Sequence, residues 1–252
     1  MAEPPCPGQV LAAAGLADRL LAGSAALFPT DTVPALAARP EAAAQLWQLK
    51  QRPARKPMIL MGADAEALFA ALGVPIGAPW RAMAERCWPG AVTLVLPARG
   101  ALAQALHGEG SSLGLRIPAC PLALELLRRS GPLATTSANR SNEPPCTTAA
   151  EAAALFADVP LLGPLPWPGG SGQPSTVLAW TGPYGQASPE REGAGAGPEE
   201  GFGPEEGPGP EEGPGPGDRA WIPGANPVAR DAGHWQILRA GALMPMDLLS
   251  GA

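Results

Sequence analysis

Between Leu49 and Pro57 the chain reads Leu-Lys-Gln-Arg-Pro-Ala-Arg-Lys-Pro, and these nine positions hold both of its lysines, Lys50 and Lys56, with Arg52 and Arg55 between them. Thirteen further arginines do the cationic work elsewhere. An ammonium is a compact point charge suited to a single phosphate oxygen, whereas a guanidinium suits paired oxygens. Together they make a polyphosphate clamp; solvated cations at a helix C-terminus are the plainer alternative. Three other stretches carry hydroxyls and amides on loops that leave strands: Thr30 to Thr32, Thr135 to Asn142 and Ser171 to Thr176. Added to Arg116 and Arg239 they give a set rich in cations and neutral donors and poor in carboxylates, which suits an anionic ligand. Each loop alone also reads as ordinary turn chemistry.

Other chemistries find less support. There is no G-x-x-x-x-G-K-[ST], no dinucleotide fingerprint and no G-x-S-x-G. Asp31 is the one acid inside a candidate loop, and capping, metal binding or base catalysis all remain open to it. His107 and His234 have no Asp or Cys arrangement near them and read as surface or core-edge imidazoles. Cys6, Cys87, Cys120 and Cys146 form no C-x-x-C pair, so reduced thiols are expected and no protein-held metal.

The elements that position these residues follow from periodicity. Helices are expected over residues 9–22, 40–51, 64–72, 79–87, 121–129, 148–156 and 245–249. Strands are expected at 25–28, 58–61, 91–96, 112–117, 132–136, near 161–162, and at 176–180 and 234–241. In the fourth strand Leu113, Leu115 and Ile117 alternate with Gly114 and Arg116, which turns Arg116 away from the apolar set and toward a cleft. This succession predicts an α/β (α+β) body with a twisted mixed sheet.

Charge divides the chain. Residues 1–181 carry thirteen Lys/Arg against twelve Asp/Glu, whereas residues 182–232 carry three against ten. The latter segment repeats Gly-Pro-Glu-Glu-Gly with a period of six from Gly197 and is expected to be a flexible acidic insert. The expected domain is therefore 1–181 plus 233–252. The first residues lack a basic n-region and a long apolar run, so neither a secretory signal nor a membrane span is expected, and a cytoplasmic location follows.

The motifs Phe28-Pro-Thr-Asp-Thr-Val33, Leu49-Lys-Gln-Arg-Pro53, Trp88-Pro-Gly-Ala-Val-Thr93, Leu115-Arg-Ile-Pro118, Thr136-Ser-Ala-Asn139, Pro174-Ser-Thr-Val177 and Ile237-Leu-Arg-Ala-Gly241 resemble, in order and spacing, the YrdC-type threonylcarbamoyl-AMP synthases. The form resembled is the one without the extra C-terminal domain. The resemblance implies a YrdC-like sheet with a concave basic cleft. It also implies an enzyme, a nucleotidyltransferase, that makes threonylcarbamoyl-AMP and pyrophosphate from L-threonine, bicarbonate and ATP for tRNA modification. Carried over, Lys50, Arg52, Lys56, Ser112, Thr135, Asn139 and Arg239 would bind ATP, and Thr32, Arg116, Ser137 and Ser175 would bind threonine. No dedicated base is implied; Lys50 and Arg52 would act by positioning, and Mg²⁺ would ride on the phosphates. Partners implied are a downstream threonylcarbamoyl transferase and tRNA or double-stranded RNA on the basic face. A non-catalytic RNA-binding or ribosome-associated module, or a paralogue adenylating another small substrate, are the alternatives. Three positions depart from the family pattern: Pro34-Ala35 stands where Tyr-Gly is usual, Lys56 where Asn is common, and Met61 where a threonine-contacting His is common.

Overall fold

A computed structural model describes residues 9–51, 56–107, 110–182 and 233–243. The described strands form one mixed sheet in the order β1-β8-β2-β3-β7-β4-β6-β5-β9-β10. They are β1 (Val10–Leu11), β2 (Ala26–Phe28), β3 (Ala35–Ala38), β4 (Ile59–Met61), β5 (Val92–Pro97), β6 (Ser112–Arg116), β7 (Leu133–Ser137), β8 (Leu161–Leu162), β9 (Thr176–Thr181) and β10 (His234–Arg239). Interleaved with them are α1 (Ala13–Leu21), α2 (Ala44–Lys50), α3 (Ala65–Ala70), α4 (Ala78–Cys87), α5 (Ala101–Leu106), α6 (Pro121–Ser130) and α7 (Ala149–Leu155). The expected twisted mixed sheet flanked by helices is what forms.

Period-two alternation splits the strand side chains between two cores. On one face Leu36, Leu60, Leu94, Leu115, Ala134 and Leu178 pack against α2, α3, α4, α5 and α7. On the other, Phe28, Ala35, Ala37, Met61 and Leu133 pack against α1 and α6. This second core draws on β2, β3, β4, β7 and β8 and takes nothing from β5, β6, β9 or β10. Two helices thus cover only part of that face, and the polar side chains of the uncovered strands are left facing a hollow.

Local signals fix the helix starts. Asp64 Oδ1 accepts the Ala67 N–H at 2.8 Å, and Thr148 with Glu151 forms a reciprocal capping box. Three differences from expectation have physical causes. Val10 and Leu11, expected as the opening of a helix, form β1, because parallel pairing with Leu161 and Leu162 holds them extended and the helix begins only at Ala13. Ala35–Ala38 was not expected as a strand; three alanines and a leucine have little β preference, but β2 and β7 bond it from both sides. The helix Ala101–Leu106 was likewise not expected. The helix at 245–249 lies outside the described residues, as does Cys6. Cys87, Cys120 and Cys146 are free and buried, and burial pushes the Cys87 thiol up to about 11.

β9 and β10 pair antiparallel with His234 opposite Thr181, so the chain leaves the sheet at Thr181 and re-enters beside it. Residues 183–232 need therefore supply only a short connection. Deleting 185–230 is expected to leave fold and nucleotide affinity intact and to add at most roughly 2 kcal/mol of stability from the shorter loop. Thermal unfolding and calorimetry of the deletion variant check this; loss of the cooperative transition would show that the segment is structural.

Candidate active site

The uncovered sheet face bounds a cavity of about 570 Å³. Its floor is built by strand alternation: Ser112, Gly114 and Arg116 from β6, Thr93 and Val95 from β5, Ile59 from β4, Thr135 and Ser137 from β7 and the start of β3. Thr135 lies opposite Ile59, Ile59 opposite Gly114, and Gly114 opposite Val95, giving one continuous row across four strands. Gly114 keeps that row low. A Cβ there would come within 2.8 Å of Ile59 Cγ2 and 3.3 Å of Thr93 Cγ2. Ser112 and Arg116, four residues apart on the same face, mark two ends about 13 Å apart along the strand.

At one end Arg116 is almost wholly buried. Its Nε donates to the Gly90 carbonyl at 3.1 Å, Nη1 to Thr32 Oγ1 at 2.9 Å and Nη2 to Asp31 Oδ1 at 2.7 Å. Of five guanidinium N–H groups, two are thus left without an acceptor among the described residues. Burial is the main influence lowering the Arg116 pKa; Asp31 opposes it, and the like charge of Arg239 adds to it. Two guanidiniums and one carboxylate leave a positive site. Asp31, whose role was open, is a buttress: the same oxygen also accepts the Ala119 N–H at 3.1 Å. The Thr30–Thr32 turn holds itself through a 2.9 Å contact between the two hydroxyls and a 2.7 Å bond from Thr30 Oγ1 to the Val33 carbonyl. A second loop clasps it, with Ser171 N–H on the Asp31 carbonyl and Gly172 N–H on that of Thr32, both at 3.0 Å. A Cβ at Gly170 would lie 2.3 Å from the Thr32 carbonyl oxygen, so only glycine permits the approach.

Ser175 closes another side. Its hydroxyl sits 2.9 Å from Thr93 Oγ1, and its carbonyl accepts from Arg239 Nε at 3.1 Å and Nη2 at 2.9 Å. Arg239 is exposed at the rim, and partial burial lowers its pKa.

Lys50 occupies a different place from the one the clamp implied. It is 2% exposed, and Nζ donates to the Ser137 carbonyl at 2.5 Å and to both oxygens of Asn139 at 2.7 Å. It stands behind the loop after β7, not on the cavity wall. Asn139 is equally engaged: Oδ1 also accepts from Ser137 Oγ at 2.6 Å, while Nδ2 donates to the Glu143 carbonyl at 2.5 Å. Lys56 Nζ reaches Asn142 Oδ1 at 3.1 Å. Arg52 lies outside the described residues. Seven of the expected residues therefore share the cavity, namely Thr32, Ser112, Arg116, Thr135, Ser137, Ser175 and Arg239. Among the described residues its wall carries two guanidiniums and no lysine, a less basic lining than expected. Among these residues, too, no group of three or more His, Cys, Asp or Glu is placed to hold a metal.

Thr30, from a loop already singled out, lines the cavity as well, as do Thr93 and His107, which were not assigned from sequence. For Thr93 a signal existed: Val92, Leu94 and Leu96 are core residues, so the residue between the first two must face the other way. His107, expected at a surface or core edge, stands on the cavity wall because the end of α5 delivers it there.

The fold and cavity define an α/β protein with a pocket beside a buried arginine. The family described as "Telomere recombination" (Sua5_yciO_yrdC) matches residues 18–193. A Chromohalobacter salexigens protein named threonylcarbamoyl-AMP synthase is 37% identical over 64% of this chain and 92% of its own length. One of the same name from Klebsiella pneumoniae is 39% identical over 52% and 72%. P. abyssi Sua5, solved in complex with L-threonine, superposes with a TM-score of 0.61 at 30% identity, over 66% of this chain and 50% of that one. The chain thus spans about half of that Sua5 chain. E. coli YciO, at 21% identity and a TM-score of 0.56, shares the fold. The chain belongs to the Sua5/YciO/YrdC family.

Lys50→Met keeps an unbranched side chain and removes the ammonium from three acceptors; Asn139 Oδ1 and the Ser137 carbonyl keep one other donor each, and the Asn139 carbonyl loses its one donor among the described residues. The expected loss is about 2–4 kcal/mol, a fall in melting temperature of roughly 5–15 °C. An unchanged melting temperature would show that Lys50 is not the peg of this loop. Gly114→Val is expected to obstruct the cavity floor, and ligand titration by calorimetry reads it as lost binding with the cooperative fold retained.

Proposed function

We propose that this protein is an L-threonylcarbamoyladenylate synthase, a nucleotidyltransferase acting on ATP, L-threonine and bicarbonate. The observation that carries this reading is a cavity with Arg116 at one end and Ser112 at the other, in a chain whose relatives bear the synthase name. Arg116 has two N–H groups left for a carboxylate, which fits the amino-acid end of threonine, with Thr32, Ser137 and Ser175 supplying neutral donors around it. The nucleotide would extend toward Ser112, Thr135 and Arg239, with Lys56 on the segment after α2; Arg52 is carried over as a further ATP-binding residue. Lys50 and Asn139 would serve ATP indirectly, by setting the loop that presents Ser137.

In the reaction the threonine amine and bicarbonate give a carbamate and water. A carbamate oxygen attacks the α-phosphorus, and the bond to pyrophosphate breaks. Two anions must meet, so the protein's contribution is orientation and charge neutralisation, which Arg116 and Arg239 can supply without a dedicated base. Mg²⁺ would enter as part of the MgATP substrate, consistent with its preference for phosphate oxygens and water where few carboxylates are offered. The product would pass to a transferase that modifies tRNA in the cytoplasm; no helix among the described residues is long and apolar enough to cross a membrane. The acidic segment 182–232 would be an excursion from this single domain.

Purified protein is expected to release pyrophosphate only when ATP, threonine and bicarbonate are all present, with threonylcarbamoyl-AMP detected by mass spectrometry. Arg116→Ala should raise the threonine KM at least about tenfold and leave ATP affinity within about twofold. Pyrophosphate release that ignores threonine would refute the synthase assignment.

A further inference from the structure

His107 follows the last turn of α5, and its φ of −138° and ψ of 113° take the chain out of the helix. Two backbone bonds fix this corner. Gly110 N–H donates to the His107 carbonyl at 2.7 Å, and Met58 N–H donates to the Leu106 carbonyl at 2.9 Å. The imidazole stands on the cavity wall in company with Pro57, Met58 and Ser112. The start of β6 follows it within a few residues, so it lies at the Ser112 end and away from Arg116.

The ring's two nitrogens are in unlike surroundings. Nδ1 is buried and has no hydrogen-bond partner among the described residues. A buried N–H without an acceptor is rarer and costlier than a buried lone pair, so the neutral ring keeps its hydrogen on Nε2. Nε2–H is then the group a ligand can use. It is a donor on the same cavity wall as Pro57, Met58 and the Ser112 hydroxyl. A nucleotide offers matching acceptors on its phosphates and on its base.

We infer that His107 positions the nucleotide, its Nε2–H donating to an acceptor atom of bound ATP. This rests on the assignment of ATP to the cavity made above. His107 acts on binding and takes no part in bond making.

The chain has two histidines, and His234 is exposed on β10 and absent from the cavity wall. Untagged protein labelled with ¹⁵N in histidine therefore gives two imidazoles that NMR can follow separately. In the free protein the nitrogen shifts of His107 should report the Nε2–H form; the Nδ1–H form overturns the inference. Adding ATP should move the His107 ring and leave His234 in place, while threonine alone should move neither. Parallel titrations with tripolyphosphate and with adenosine tell phosphate from base as the source of the acceptor. ATP binding by calorimetry with an unmoved His107 overturns the inference and spares the nucleotide assignment. Absence of ATP binding overturns both. An ATP-dependent shift without threonylcarbamoyl-AMP formation sustains His107 and removes the synthase reading. In kinetics, His107→Ala should raise the ATP KM about five- to tenfold with the threonine KM and kcat unchanged. His107→Gln, which places an amide N–H near the position of Nε2, should restore most of that loss. Equal losses in both variants, or a loss shared by both substrates, would mean that the ring only fills the wall.

Discussion

A buried ammonium cannot remain buried unless acceptors surround it, and this requirement ties the two halves of the site together. Lys50 ends α2, on the face of the sheet opposite α1 and α6, yet its Nζ is bonded to Ser137 and Asn139 at the mouth of β7. Gln51 at once turns left-handed, with φ of 51°, so the helix stops where the ammonium must be delivered. The Ser141 N–H returns a bond to the Lys50 carbonyl at 3.1 Å, and Ala138 N–H bonds the Pro34 carbonyl at 2.8 Å. The loop that presents Ser137 is thus fixed from α2 and from the Thr30–Pro34 turn together. A charge spent in this way makes a rigid cavity edge in place of a mobile cation on its surface.

Incomplete cover is the second condition. A sheet ten strands wide needs more than two helices to close one of its faces, and α1 and α6 reach only the strands from β1 to β4 in the sheet order. Beyond them the inward positions mix Val95 and Val177 with Thr93, Ser112, Gly114 and Arg116, and the hydroxyls and the guanidinium would be costly under a helix without partners. The polar groups on the floor and the missing layer are one fact seen from sequence and from packing. Gly241 shows the same economy of space: a Cβ there would sit 2.3 Å from the Pro174 carbonyl oxygen, which is how β10 draws close enough to bring Arg239 over Ser175.

How much of this could be read beforehand depends on whether the signal was local. The alternation around Arg116 was legible because strand geometry alone turns every second residue to one side, and the structure places Ser112, Gly114 and Arg116 together on the floor. Thr135, Ser137 and Ser175 were legible as hydroxyls on strand ends. The direction of Lys50 was not, because a cation at a helix C-terminus has the same sequence whether it faces a phosphate or the carbonyls of a loop some ninety residues away. β3 was hidden for a similar reason, its strand character being imposed by its neighbours. His107 was hidden by distance: no residue near it in sequence announces a cavity, and only the packing of α5 against the segment before β4 brings it there.

The amino-acid end is where this chain departs from its family pattern, and the structure gives the departure a physical form. Met61, at the position where a threonine-contacting His is common, is buried in the core under α1 and α6, and the cavity wall does not include it. Its register partner is Arg116. The Met61 thioether is at most a weak acceptor, so in the proposed threonine site carboxylate recognition would fall on Arg116 and its two remaining N–H groups. Pro34 does line the cavity, and its fixed φ stiffens the turn whose Thr32 hydroxyl holds Arg116. Met61 supplies an apolar side chain on one side, and a stiffer turn supports the arginine on the other. Under the proposed function, specificity at this end would therefore rest on how firmly Asp31, Thr32 and Gly90 hold one guanidinium, and preorganisation of that side chain would be the property on which discrimination among small amino acids depends.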